Sequence, residues 1–162
     1  MIWFFRLSVL TYFASVALAA VRYPDEVPVH FDVNGNADAF QGRGIAVLSM
    51  AVIGLVLTGL LGLCLHHFPR ASLKHINVPH KSFWLQPQNT DTLRRMLRND
   101  LAWIGGCVMT LMTVMLLITV KVADDPQPSL GTVGVIALVV FLVAVGGHII
   151  LMYTRRYRPP RP

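Results

Sequence analysis

Ile45-Ala46-Val47-Leu48-Ser49-Met50-Ala51-Val52-Ile53-Gly54-Leu55-Val56-Leu57-Thr58-Gly59-Leu60-Leu61-Gly62-Leu63-Cys64-Leu65 runs without a charged residue. As an α-helix this stretch rises about 31 Å. The hydrocarbon core of a bilayer is about 30 Å thick. Three further blocks have the same character: Ile2–Val21, Leu101–Val120 and Val133–Tyr153. Composition agrees, with 54% hydrophobic and 14% charged residues in a chain of 162. A soluble domain of this length needs a more polar surface. The apolar residues gather in long blocks rather than recurring at helical or strand spacing. The reading is an all-α membrane protein with four transmembrane helices.

Charge sets the orientation. The net charge of +6 first suggests nucleic acid or anionic lipid, but its distribution favours membrane topology. Arg70, Lys74, Lys81, Arg94, Arg95 and Arg98 lie between the second and third blocks, and Arg155, Arg156, Arg158 and Arg161 follow the fourth. The other two connections carry only Arg22, Arg43 and Lys121. Cytoplasmic segments are enriched in Lys and Arg. The basic loop, the tail and both termini are therefore expected inside. Basic membrane flanks are routine, so nucleic acid is not expected as a partner. Ala17-Leu18-Ala19 resembles a signal-peptidase site. However, the apolar run starts at Ile2, ahead of Arg6, and is long enough to span, so it is read as a retained helix. Cys64 and Cys107 fall within spans, which argues against an external disulfide.

The polar island Tyr23–Phe40 separates the first two blocks and holds four of the eight acidic residues. Pro24 and Pro28 keep their predecessors out of helical conformation. Val27, Val29 and Phe31 alternate with Pro28, His30 and Asp32, as an extended segment does. Asn34-Gly35 supplies a tight reversal. A short hairpin-like external loop is expected here, with Tyr23 and Phe40 seating its ends at the lipid interface.

Four regions follow. Residues 1–66 hold two spans and the external loop, 67–100 the basic cytoplasmic loop, 101–154 the last two spans and 155–162 a basic, proline-rich tail read as disordered. Pro69, Pro79 and Pro87 break the first half of the cytoplasmic loop. Its second half is expected to be an amphipathic helix capped at Asn89 or Thr90, with Asp91 in its first turn. That helix lies at the inner surface or runs straight into the third span. Thr58 and Gly62 form a small-xxx-small pair that would admit another helix.

Several clusters have residue types that can carry chemistry. Asp32, Asn34, Asn36 and Asp38 have the alternation of calcium-loop ligands, but Ala37 and Arg43 stand where glycine and glutamate belong. The plainer reading is Asp and Asn side chains capping their own turn. Asp25, Glu26, His30 and Asp32 lack a supporting zinc spacing. His66, His67, His75 and His80 are read as interfacial residues rather than haem or metal ligands. His148, well inside the fourth span beside Gly146 and Gly147, is the intramembrane polar candidate. Structural hydrogen bonding is its preferred role. No metal, cofactor or catalytic set is expected, and an enzyme is the less favoured class.

Pro24-Asp25-x-Val27-Pro28-x-His30-Phe31, followed by Gly35-x-x-Asp38, resembles a bacterial domain of unknown function found at the N-terminus of SdpI-type immunity proteins and in stand-alone small membrane proteins. Ile76-Asn77-Val78-Pro79-His80-Lys81-Ser82-Phe83-Trp84-Leu85-x-Pro87 resembles a second motif of the stand-alone members. Arg43-Gly44 replaces a more usual serine-lysine ending, and His80 stands where asparagine is common. The resemblance implies a multi-pass protein of a bacterial plasma membrane. The implied recognition residues are Pro24, Asp25, Pro28, His30, Phe31, Gly35 and Asp38. Asn77, Pro79, Lys81, Trp84 and Pro87 carry the cytoplasmic motif. The leading expectation is a non-enzymatic sensor, immunity or accessory protein. Its partners would be the lipid bilayer, a peptide toxin or envelope ligand outside, and a regulator or membrane protein. A small transporter, or a subunit of a transport complex, is the alternative, with His148, Thr58, Thr110 and Thr113 as its polar residues.

Overall fold

The computed structural model describes residues 1–70 and 72–159. Arg161, counted above in the basic tail, lies outside them. Helix α1 (Ile2–Arg22) leads into strands β1 (Glu26–Phe31) and β2 (Ala37–Gly42). Helix α2 (Arg43–His67) follows directly. Two 3-10 turns, Phe68–Arg70 and Leu73–His75, and the short α3 (Lys81–Trp84) bridge to α4 (Pro87–Val122). Helix α5 (Gly131–Leu151) closes the bundle and widens into a π-turn over Met152–Arg156. Among the described residues, four helices are long and apolar enough to cross a membrane. The expected all-α, four-span architecture with a small two-stranded sheet between the first two helices is therefore the observed one.

The central pair is α1 against α4, with α2 flanking α1 and α5 flanking α4. Phe5, Tyr12, Val16 and Ala19 form one buried stripe along α1. Ala102, Met109 and Leu116, seven residues apart, face it from α4. Lipid tails are as apolar as leucine, so close packing and hydrogen bonds must hold such helices together. Both are present. Tyr12 Oη donates to the Met50 carbonyl at 2.7 Å, and the Ser8 and Thr110 hydroxyls meet at 3.1 Å. A β-carbon at Gly54 would lie 2.1 Å from the Tyr12 ring, so only glycine fits there.

Three sequence expectations change. A β-carbon at Gly62 would meet nothing within 4 Å, so no helix of this chain approaches closely at that glycine, although Thr58 one turn away lies beside α1. Nor would a β-carbon at Gly146 or Gly147 meet anything within 4 Å. The helix expected to start at Asn89 or Thr90 starts at Pro87, which suits a first helical position because it has no N–H to satisfy. Asn89 instead sends its side-chain amide back to the Phe83 carbonyl at 2.9 Å. From Pro87 the helix is unbroken for 36 residues, about 54 Å. It therefore projects several turns beyond a bilayer core at its N-terminal end. The third correction concerns the tail: Tyr157 is buried at 1% exposure rather than disordered.

Candidate functional site

The hairpin is antiparallel, pairing Glu26 with Gly42 and Phe31 with Ala37, and its register is broken between Pro28 and Phe31. Pro28 has no N–H to give a ladder, and an irregularity at such a point re-aims the side chains around it. Val27 and Pro28 consequently both turn inward, while His30 points out. His30 Nδ1 meets Asp38 Oδ1 at 2.5 Å across the strands. At the foot of the hairpin, Arg43 Nη2 donates to Asp25 Oδ1 at 2.6 Å, and the Arg43 amide donates to the Asp25 carbonyl.

The turn is built by Asp32. Its Oδ1 accepts the amides of Asn34 and Asn36, each at 2.8 Å. Those bonds, the Asn36 one foremost, hold its carboxyl below the usual aspartate range. Asp32 thus caps its own turn, as the plainer reading of the Asp and Asn run expected, rather than standing free as a calcium ligand. Gly35 sits at φ +83°, a conformation that glycine adopts without strain. Its carbonyl accepts the Leu130 amide at 2.9 Å and the Ser129 hydroxyl at 3.0 Å. The Ala37 amide donates to the Pro128 carbonyl at 3.0 Å. The α4–α5 connection therefore clamps the hairpin tip.

Beneath the hairpin lies an apolar recess of about 350 Å³. Pro28, Val29 and Phe31 roof it, and Met50, Met112 and Met115 rise from the helices below. Methionine's flexible thioether lets such a wall adapt to different shapes. Of the residues singled out in this loop, Pro28 and Phe31 line the recess. Asp25, His30 and Asp38 stand on the exposed face, Gly35 holds the clamp, and Pro24 is half-buried. Tyr23 is buried at the base, whereas Phe40 is exposed.

The second motif lies at the opposite, basic end. Trp84 is buried and donates its indole N–H to the Tyr157 carbonyl at 3.0 Å. Lys81 Nζ donates to the Lys74 carbonyl, the Asn77 carbonyl faces Tyr153 Oη at 3.5 Å, and Pro87 opens α4. Val78, next to Pro79, joins a small core with Leu73, Trp84, Leu93 and Tyr157.

Behind that core stands a residue the sequence reading passed over. Asp100, on α4, is 1% exposed. Its Oδ2 accepts the Tyr157 hydroxyl at 2.6 Å. Its Oδ1 faces His148 Nε2 at 3.2 Å and Arg156 Nε at 3.3 Å. An ionised carboxylate only accepts, so His148 presents an N–H to it. The imidazole also stacks on Trp103, centroids 4.2 Å apart. Burial, and then the bond to Asp100, push the Tyr157 phenol well above the ordinary tyrosine range. His148 thus has the hydrogen-bonding surroundings expected of it, supplied by Asp100 rather than by a helix approaching over Gly146. The hydroxyls of Thr110 and Thr113 bond to carbonyls of their own helix.

A family model described as a domain of unknown function (DUF1648) matches residues 7–55, less than a third of the chain. The match spans most of α1, the whole hairpin and the first half of α2. No curated protein and no solved structure matches. This four-span membrane protein therefore resembles that domain in the part that carries the hairpin, and α4, α5 and the Asp100 cluster lie beyond the match.

Proposed function

We propose that the chain is a sensor, immunity or accessory protein of a bacterial plasma membrane, with the hairpin outside and both termini in the cytoplasm. It recognises a peptide or envelope component through residues 23–40. The observation that carries this reading is the clamped hairpin over a methionine-lined recess. A rigid exposed face with His30, Asp38, Asp25 and Arg43 offers polar contacts of both signs. The recess behind it accepts an apolar side chain or lipid-like tail. That pairing suits an amphipathic, membrane-active peptide. Functional contacts often sit on loops held by a rigid scaffold.

The test compares cells carrying wild type, the double variant His30→Ala/Asp38→Ala, or His148→Ala at matched membrane levels. Survival is measured against a panel of membrane-active peptides. The expected result is protection by wild type and His148→Ala, with loss to the empty-vector level in the double variant. Full protection by the double variant overturns the reading, as does absence of protection by wild type. Loss with His148→Ala alone points to transport instead. Thiol labelling from outside at Val33→Cys, a fully exposed position, tests the orientation. Labelling only after the membrane is broken reverses it.

A further inference from the structure

Among the described residues, two buried side-chain polar atoms have no hydrogen-bond partner: Thr58 Oγ1 and Arg98 Nε. Both residues line the same groove, at the basic end of the α1–α2 seam. Thr110, Thr113, Thr119 and Thr154 each donate to the carbonyl four residues earlier in their helix. Thr58 does not. A buried hydroxyl or guanidinium N–H left unpaired has given up its water with nothing in return, so such atoms call for a ligand.

The groove is made of two neighbouring hollows, both lined by Phe5 and Arg6. One, of about 240 Å³, gathers Arg6, His66 and Arg98 over the open backbone at Gly62. The other, of about 470 Å³, runs along Phe5, Val9 and Leu10 to Thr58. No carboxylate lines either part. Arg6 lies over the Trp3 ring, and neither Arg6 nor Arg98 belongs to any of the ion pairs among the described residues. The first part is a cationic pocket at the end of two membrane-crossing helices. The second is a shallow, open apolar strip beside it along α1, with the Thr58 hydroxyl at its edge.

We propose that this groove binds one anionic glycerophospholipid. The phosphate sits among Arg98, Arg6 and His66, where charge-assisted hydrogen bonds are strongest. An acyl chain follows Phe5, Val9 and Leu10. The Thr58 hydroxyl, one helical turn from Gly62, donates to an ester oxygen. Anionic rather than zwitterionic headgroups are selected because the pocket offers nothing to hold an amine.

The test uses the full chain purified in detergent with equal amounts of phosphatidylglycerol and phosphatidylcholine, with retained lipid quantified by mass spectrometry. Wild type is expected to retain roughly tenfold more phosphatidylglycerol, the scale of one charge-assisted hydrogen bond. Arg6→Gln/Arg98→Gln should bring the ratio to about one, and Thr58→Val should lower it about twofold. Arg95→Gln, an exposed arginine lining neither part, should leave it unchanged. Arg98→Lys and Thr58→Val keep the test open if the double variant misfolds. No preference in wild type overturns the proposal. So does an equal loss with Arg95→Gln, which means unspecific charge attraction. Displacement of the lipid by inorganic phosphate also overturns it, in favour of a free-phosphate site.

Discussion

At the hairpin end, His30 and Asp38 meet in the open, with side chains 68% and 48% exposed. At the basic end, Asp100 meets three donors with its own side chain 2% exposed. The chemistry is similar and the consequence is opposite. An exposed pair is worth about 0–1 kcal/mol, so it can be spent on a ligand without unfolding anything. A buried charge that loses its partners costs about 3–5 kcal/mol. The exposed pair can exchange partners at little cost to the fold, whereas the buried cluster holds α4, α5 and the segment after it together.

The sharpest way to break this contrast is Asp100→Ala. It strands Arg156, His148 and the Tyr157 hydroxyl, and should destabilise the protein by about 3–5 kcal/mol in reversible unfolding in detergent. His30→Ala should cost less than about 1 kcal/mol in the same assay. Equal effects would end the distinction. Midway between the ends, Gly54→Ala should cost about 1–3 kcal/mol, because the Tyr12 ring must move. Loss of the Tyr12 phenol bond would accompany it, readable as a change in near-ultraviolet absorption.

Gly35→Ala should cost about 1–2 kcal/mol through its positive φ. Its signature is local: faster hydrogen exchange at the Ala37 and Leu130 amides, with Trp84 and its surroundings unaffected. The smallest effect concerns acid. Asp32 has a carboxyl held below its ordinary value of 3.8. Its contribution to the turn is therefore complete above that pH and lost as pH falls through the lowered value. Exchange protection of the Asn34 and Asn36 amides should fall only in that acid window. A fall at neutral pH would assign the turn to another group.

What was legible in the sequence was whatever short-range pattern decides. Long apolar runs mark the four helices even with Arg6 and His148 inside two of them, and Pro28 with Asn34-Gly35 marks the hairpin. The Asp100 cluster was not legible, since its partners lie 48 and 57 residues away, and Trp84 meets Tyr157 across 73. Asp100 also stands where a polar loop gives way to an apolar run, so it read as an ordinary boundary residue. Tyr157 was hidden among arginines and prolines, whose composition suggests a loose tail. The clamp of Ser129 and Leu130 on Gly35 is equally non-local, and no spacing rule foretells it. His30 and Asp38 were picked individually, but their pairing needed the broken register of the hairpin.

All three tryptophans of the chain stand at one end. Trp3 opens α1, Trp84 is hydrogen-bonded to the Tyr157 backbone, and Trp103 is stacked on His148. The hairpin has none. The molecule is in effect fitted with fluorophores at the end opposite the hairpin, one of them stacked on an imidazole. A change of tryptophan emission on adding a peptide to the hairpin side would be a direct optical record of a signal crossing the bilayer, with no label attached.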